Sequence, residues 1–239
     1  MVLNFTIEEL SFIAKQFKYD HLEGVAFVRF NKAECIDSLV TKNYLIPYGK
    51  KFELSNDVRL LLSTWDSVRY TLLQDKFANQ EHVFAIMANS KRIISYSSHG
   101  NDIQLSMCDF SVEVMDKVIT DYLGIENFGD CPAKFNITFS ADEFLSYFKE
   151  DVSNDVICGK TGLSDGDVSL IKYAIKSDEG ISYIVQDVVE DIGCMGNIVK
   201  YPEGYVLIKH VVPNRNVRKQ KVIITKGDAQ DIVDSIYIL

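Results

Sequence analysis

The stretch Phe139-Ser140-Ala141-Asp142-Glu143-Phe144 has a counterpart near the start of the chain, Phe5-Thr6-Ile7-Glu8-Glu9-Leu10. Each predicts a helix start, because a Ser or Thr cap is followed three residues later by a Glu that can bond back to the cap. The apolar residues that flank each copy can staple the first turn by packing on each other. Two helix starts of the same form, one in each half, indicate an internal duplication.

The composition is typical of a soluble globular protein, with 47% hydrophobic and 25% charged residues in a chain of 239. The net charge of −9 argues against binding to duplex nucleic acid, which requires a basic surface. No signal peptide is visible, and no apolar run is long enough for a membrane span. The five scattered cysteines include no Cys-x-x-Cys pair, which indicates reduced thiols. We therefore expect a cytoplasmic location.

Apolar periodicity predicts helices, four strands and a closing helix in each half of the chain. In the first half, helices are expected at 7–17, after Asn31 and at 56–64, an early strand at 24–30, later strands at 68–73, 82–87, 92–96 and 103–107, and the closing helix at 111–123. In the second half, helices are expected at 141–149 and after Ser164, strands at 181–187, 195–201, 205–212 and 217–225, and a closing helix from Asp228.

The similar order of the two halves also predicts the fold. The segment Leu39–Leu45 matches Ile157–Leu163 in position and apolar pattern, and short turns between successive strands indicate antiparallel pairing. We therefore expect one α+β domain, residues 1–239, with a central antiparallel sheet and flanking helices. Its two pseudo-twofold-related halves are expected at about 1–124 and 135–239, with Gly129–Pro132 as the connector.

The sequence contains no recognisable enzyme motif. Gly159-Lys160-Thr161 has the last residues of a phosphate-binding P-loop, but Asn154 stands where that pattern needs a glycine, so a helix end or turn is favoured. The four histidines show no metal-ligand spacing with one another or with cysteine. The carboxylates around 187–191 lack the spacing of an EF-hand loop and are interpreted as solvated turns. We predict no catalytic residue, no metal and no cofactor.

One cluster of basic residues occurs on a predicted hairpin of this acidic chain. Its members are Lys209, His210, Arg215, Arg218, Lys219 and Lys221. A charged hairpin at a sheet edge can serve to discourage strand addition. It can also serve to dock an acidic partner. We take Arg215, Arg218 and Lys219 as candidate partner-binding residues, together with His99 and Asn101 from a predicted turn between strands.

Several stretches together resemble a known family. The start Phe5–Leu10, the helix end Leu39–Leu45, and the helix Asp57–Leu62 leading into the strand Val68–Leu73 are similar in order and apolar pattern to the EspG-like chaperones of type VII (ESX) secretion. These proteins serve actinobacteria, and related proteins occur in Firmicutes. Few Gly and Pro residues and many Lys, Asn and Ile residues indicate a Firmicutes-type relative.

This resemblance implies a pseudo-twofold α+β fold without enzymatic activity. It implies a cytosolic chaperone or adaptor that binds the tip of a helical hairpin in an export substrate and keeps the substrate soluble. It further implies a binding groove formed by a strand-to-strand loop on the sheet and the second-half helices. The partner is then a secreted helical protein rather than a nucleic acid or a membrane.

Two other interpretations remain open at the level of sequence. An immunity or antitoxin-type protein would also be acidic, and it would block the basic cleft of a cognate toxin. An enzyme whose catalytic residues lie far apart in sequence would show no motif. The sequence does not identify the partner, and it does not set the oligomeric state.

Overall fold

The computed structural model describes residues 1–19, 22, 25–74, 84–126, 131–149, 151–187, 191–214 and 216–237. The chain divides into two compact units, Met1–Met115 (unit 1) and Asp116–Leu239 (unit 2). Helices and antiparallel strands occur in both units, so the predicted α+β class with antiparallel sheets and flanking helices is confirmed.

The described part of unit 1 combines helices with a five-stranded antiparallel sheet of order β1-β7-β6-β5-β4. Its elements are β1 (Val2–Thr6), α1 (Ile7–Phe17), α2 (Lys32–Thr41), β2 (Leu45–Tyr48), β3 (Lys51–Leu54), α3 (Asn56–Trp65), β4 (Tyr70–Gln74), β5 (Phe84–Ala88), β6 (Arg92–His99) and β7 (Asp102–Asp109). Strands β2 and β3 form a separate hairpin. Helix α4 (Val112–Leu123) runs across the division between the units.

The described part of unit 2 has a five-stranded antiparallel sheet of the equivalent order, β8-β12-β11-β10-β9. Its elements are β8 (Phe135–Ser140), α5 (Ala141–Tyr147), α6 (Asn154–Thr161), α7 (Asp165–Lys176), β9 (Ile181–Asp187), β10 (Ile192–Tyr201), β11 (Gly204–Pro213), a 3-10 helix (Val217–Lys219), β12 (Lys221–Gly227) and α8 (Ala229–Tyr237). Both units therefore have a strand, three helices and a four-stranded meander in that order, with the β2–β3 hairpin as an addition in unit 1. The duplication itself stays a prediction.

Both predicted capping boxes form. The Thr6 hydroxyl accepts from Glu9 N at 3.2 Å, and Glu9 Oε2 accepts from Thr6 N at 2.7 Å. The Ser140 hydroxyl accepts from Glu143 N at 3.2 Å, and Glu143 Oε2 accepts from Ser140 N at 2.8 Å. These bonds satisfy backbone N–H groups that the first turn of a helix leaves free, so α1 and α5 begin where the sequence predicts.

Each unit has its own apolar core. In unit 1 the helices α1, α2 and α3 pack through buried residues such as Leu10, Leu39 and Leu62 against β6 and β7. In unit 2 the helices α5 and α7 contribute Phe144 and Ile171 to a cluster on one face of the sheet. The strands therefore present one face to these helices, as the alternation of apolar residues predicts.

Several predicted elements are wrong. Residues 25–30 form no strand; the N–H of Val28 bonds instead to the Ser11 hydroxyl at 3.0 Å, and Phe30 packs edge-on against Phe12. Residues 217–219 form a 3-10 helix instead of the start of a strand. The hairpin of β2 and β3 and the short strands β1 and β8 were not predicted, because a short strand becomes ordered only through its partner. Of the predicted connector, residues 129 and 130 lie outside the described part of the chain.

None of the helices in the described ranges has the length and apolar character that crossing a bilayer requires. The stretch Gly159-Lys160-Thr161 forms the end of α6, and Gly162 follows as its left-handed C-cap. The helix-end interpretation is therefore confirmed for this stretch.

Candidate partner-binding surface

Of the predicted partner-binding residues, His99 and Asn101 lie at the turn between β6 and β7. The backbone oxygen of Asn101 accepts from Ile7 N at 2.9 Å, and its side-chain amide donates to Glu8 Oε1 at 3.4 Å. These bonds tie the turn to the first residues of α1. His99 lines a depression of about 470 Å³ in unit 1, together with Asn4 and Lys42.

The basic hairpin supplies fewer surface cations than its sequence suggests. Arg218 and Lys219 are exposed on the 3-10 helix, and Lys221 is exposed at the start of β12. Asn216 holds the 3-10 helix, since its side-chain oxygen accepts from Arg218 N at 3.1 Å and its backbone oxygen from Lys219 N at 2.9 Å. Arg215 lies outside the described residues.

Lys209 corrects the predicted cluster, because it is fully buried. Its ammonium donates to the backbone oxygens of Ser235 at 2.7 Å and Ile236 at 3.4 Å, so it stabilises the C-terminal end of α8. Burial lowers the pKa of this lysine. Lys209 and His210 are neighbours in β11, and successive side chains of a strand point to opposite faces, so they cannot join one charged surface.

The hairpin is also not at an edge of the sheet. Strand β12 lies between β11 and β8, with Ile224 opposite Ile208 on one side and Ile137 on the other. A charged hairpin that protects an edge from strand addition is therefore the wrong interpretation of these residues. The outer strand of this part of the unit 2 sheet is β8.

Unit 2 carries a partly uncovered apolar groove on the face of its sheet that α5 and α7 pack against. We define this sheet groove by Phe144 on α5, Ile175 on α7, Ile184 on β9, Met195 on β10 and His210 on β11. Met195 is paired with Ile184 and with His210, so these three side chains form one row across the sheet. Met195 is 57% exposed and Ile184 is 42% exposed.

The groove exists because α5 and α7 cover only part of this face. Val199, Val206 and Ile208 are buried beneath the helices, whereas the row that contains Met195 lies beyond them. Two adjoining depressions of about 260 Å³ and 430 Å³ share Met195 and His210. An apolar depression of this kind on a protein surface favours contact with an apolar partner.

His210 links the sheet groove to the basic hairpin. Its ring packs edge-on against Phe144, with the ring centres 5.7 Å apart, and its Nδ1 lies 3.0 Å from Gln220 Nε2. Burial lowers the pKa of His210 and so favours the neutral ring. Gln220 lines the groove and directly follows the 3-10 helix, so Arg218 and Lys219 lie next to it in sequence.

Asn197 lies on the floor of the groove and carries a buried polar atom. The side-chain oxygen of Asn197 is buried and has no hydrogen-bond partner in the part of the chain that the structure describes. Gly180 leaves it room, because a Cβ on Gly180 would lie 2.0 Å from that oxygen. An unpaired buried oxygen of this kind is costly, and the close packing of Gly180 keeps it away from solvent.

The side chains that define the groove are mostly apolar. The Cys194 thiol points to the opposite face of the sheet, because Cys194 directly precedes Met195 in β10, and burial raises the pKa of this thiol. Among the described residues, no group of three or more His, Cys, Asp or Glu side chains is placed to hold a metal ion. The arrangement can accept apolar side chains.

Sequence reasoning missed Phe144, Ile175, Ile184 and Met195 as groove residues. All four belong to apolar patterns that predict a buried face. Their exposure depends on how far α5 and α7 extend over the sheet, and no local signal encodes that. Within the described part of the chain, Gln220 lines the sheet groove, and Arg218 and Lys219 directly precede it in sequence.

Comparison with known proteins identifies a structural likeness. No protein-family model matches the chain, and no curated protein matches it. A solved structure does: EspG5, the Mycobacterium tuberculosis type VII secretion system chaperone, in complex with the PE25-PPE41 dimer. The match has a TM-score of 0.65 and 11% sequence identity, and it covers 98% of this chain and 94% of that one. The likeness does not bear on a Firmicutes-type origin, which stays a prediction. At this identity it establishes the fold: the chain has the α+β fold of an EspG-like chaperone.

Proposed function

We propose that the protein is a non-enzymatic cytosolic chaperone or adaptor that binds a helical export substrate of a type VII-like secretion system. The observation that carries the proposal is the uncovered apolar sheet groove of unit 2. The likeness to EspG5 over nearly the whole chain supports it, because that protein is a secretion chaperone in complex with a protein dimer.

The groove would hold apolar side chains from the tip of a helical hairpin. Met195 and Ile184 are about half exposed, so covering each one contributes about 1 kcal/mol to binding. Binding lowers the free concentration of the partner's apolar surface by mass action, which is how a chaperone keeps a substrate soluble.

The exposed cations beside the groove have a separate role in this proposal. Arg218 and Lys219 would attract an acidic partner and speed its association, whereas the groove would slow its dissociation. Arg215 belongs to the same proposed set. His99 and Asn101 lie in unit 1 and stay predictions for a further contact with the partner.

The test begins with capture of the partner from the native host, followed by mass spectrometry and co-expression of the retained protein. Met195→Glu places a charge in the groove and should weaken binding of that protein at least about tenfold. Leu145→Glu is the matched control, because Leu145 on α5 is 60% exposed and does not line the groove. It should bind like the wild type.

The reversal Arg218→Glu with Lys219→Glu should slow association and remove most of its dependence on salt, with dissociation unchanged. If Met195→Glu and Leu145→Glu bind the retained protein equally well, the groove is not the binding site. If the retained protein is a toxin whose activity is inhibited, the immunity interpretation replaces the chaperone.

A further inference from the structure

The outer strands β1 and β8 occupy equivalent places in the two units. Each precedes a helix with a capping box, and each pairs with the last strand of its meander, β1 with β7 and β8 with β12. An outer strand has one row of backbone N–H and C=O groups that its own sheet does not use. The two strands differ in whether side chains of their own unit bond to this outward row of N–H and C=O groups.

The pairing pattern shows which residues carry the free row. Ile7 N bonds to Asn101 O at 2.9 Å, and Ala141 N bonds to Gln220 O at 3.2 Å. In an antiparallel pair, every second residue bonds to the neighbouring strand through its N–H and C=O. Because Ile7 and Ala141 bond to the neighbouring strand, Thr6 and Ser140 point these groups away from the sheet, and so does every second residue preceding them. The outward residues are Val2, Asn4 and Thr6 on β1, and Asn136, Thr138 and Ser140 on β8.

The outer row of β1 is closed by side chains of its own unit. Asn4 N donates to the Tyr44 hydroxyl at 2.9 Å, and Asn4 O accepts from Lys42 Nζ at 3.3 Å. Thr6 N donates to Glu9 Oε2 at 2.7 Å. The outward backbone groups in the middle of β1 are therefore already hydrogen-bonded, and a further strand cannot pair with them.

The outer row of β8 lacks this closure. Ser140 N donates to Glu143, as Thr6 does to Glu9, but the outward groups of Asn136 and Thr138 have no hydrogen-bond partner within the described ranges. Both residues are exposed. Matching Leu39–Leu45 to Ile157–Leu163 puts Gly162 at the place of Tyr44, so unit 2 has no hydroxyl there.

Lys160 takes the place of Lys42 in the same match, and it does not close the strand either. Its ammonium lies 5.2 Å from the centre of the Tyr147 ring. Glycine suits position 162 for another reason, since it forms the left-handed C-cap of α6 with φ of 75°. Unit 2 therefore has a helix C-cap, Gly162, at the position where unit 1 has Tyr44, whose hydroxyl bonds to the outer strand.

We propose that β8 is a docking strand for a second copy of this chain, with the two β8 strands antiparallel and centred on Ile137. The reason for this occupant is the sequence Phe135-Asn136-Ile137-Thr138-Phe139, which is nearly the same in both directions. Centred on Ile137, Asn136 faces the partner's Thr138, and Phe135 faces the partner's Phe139. The pairing is therefore self-complementary, as a twofold interface requires.

This register also uses the backbone groups that are free. Asn136 and Thr138 are both outward residues, so each exchanges two hydrogen bonds with its opposite residue and the pair of strands gains four. The five residues carry no charge, so no like charges oppose each other. Phe135 and Ile137 are only partly buried, and the second copy extends the face on which they lie.

The first test is the mass of the full-length protein in solution as a function of concentration. Thr138→Pro removes the outward N–H without touching a bond to β12, because proline is accepted where the N–H faces away from the sheet. It should raise the dissociation constant of the dimer about 100-fold or more, through two lost bonds per dimer and the clash of the rings. Thr138→Ala keeps the N–H and should dimerise like the wild type.

The second test reads the register and does not depend on the proline variant folding. In a background with Cys108→Ser and Cys158→Ser, Ile137→Cys should form a disulfide-linked dimer on mild oxidation, because only residue 137 faces its own copy in a pair without hydrogen bonds. Thr138→Cys should link far less.

A wild type that stays monomeric at every concentration overturns the proposal. So does a dimer that Thr138→Pro leaves intact, or one that Ile137→Cys does not link, since its contact then lies elsewhere. Binding of an extended segment of another protein to β8 by a wild-type monomer would assign the strand to that partner instead. The inference stands apart from the proposed function, whose test uses residues of the sheet groove.

Discussion

Replacing Glu9 with alanine should destabilise unit 1 far more than the equivalent change at Glu143 destabilises unit 2. Both residues close a capping box of the same form, but Glu9 is only 2% exposed. Its carboxylate accepts from the Ser38 hydroxyl at 2.6 Å, from Lys42 Nζ at 2.8 Å and from Thr6 N at 2.7 Å. Within the described ranges, the Glu143 carboxylate bonds to the N–H and the hydroxyl of Ser140 and to no residue outside its own box.

The magnitude follows from these contacts. Loss of the cap costs about 1 kcal/mol. Loss of a charge-assisted bond costs about 1.5–3 kcal/mol, and the lower part of that range applies because the Lys42 side chain is 32% exposed and can be hydrated again. The free energy of unfolding of unit 1 should therefore fall by about 2–4 kcal/mol. Glu9→Gln keeps an acceptor for Thr6 N and should fall between alanine and the wild type.

The assay is urea unfolding followed by two signals. Trp65 is the one tryptophan in the sequence, and it is buried in unit 1, so its fluorescence reports the unfolding of that unit. Far-ultraviolet circular dichroism follows both units. Equal losses of stability for Glu9→Ala and Glu143→Ala would refute the reasoning, because burial and the contacts to Ser38 and Lys42 would then contribute nothing.

Two further predictions concern unit 2. Gly196→Ala should lower the free energy of unfolding of unit 2 by about 1–3 kcal/mol, because a Cβ there would lie 2.3 Å from the buried Tyr183 ring. A Cβ at Gly159 in α6 meets nothing within 4 Å, so Gly159→Ala should be neutral or stabilising by about 0.5–1 kcal/mol. Urea unfolding followed by circular dichroism checks both. Burial lowers the pKa of His210, so as the pH falls the unfolded chain protonates this ring at a higher pH than the folded protein does. The free energy of unfolding should therefore be highest above about pH 6.5 and should fall as the pH drops below that value. His210→Gln should flatten that fall, and an unchanged pH profile would contradict the assignment.

Helix starts and the order of elements could be predicted because their causes are local. Thr6 with Glu9, Ser140 with Glu143, Asn31 and Ser55 each cap a helix through backbone groups within three residues. Alternating apolar residues likewise predicted the four strands of each meander, since the period of a strand is a property of consecutive residues. The α+β class follows from these elements together.

The faces and neighbours of the strands could not be predicted in the same way. Lys209 and His210 are adjacent in sequence, yet one is buried against α8 and the other lines the sheet groove. Charge counted along the hairpin therefore overstated its basic surface. Pairing with β8 then placed β12 inside the sheet, and that contact joins residues about 85 positions apart.

The sheet groove and the open edge of β8 arise from what tertiary structure leaves uncovered. Met195 has the same apolar pattern as buried strand residues, and it is exposed because α5 and α7 end short of its row. Thr138 matches Asn4 in its strand, and its outward backbone groups have no partner among the described residues because Gly162 takes the position that Tyr44 has in unit 1. Local sequence determines which elements form, whereas exposure depends on the reach of side chains from distant elements, which only the folded chain decides.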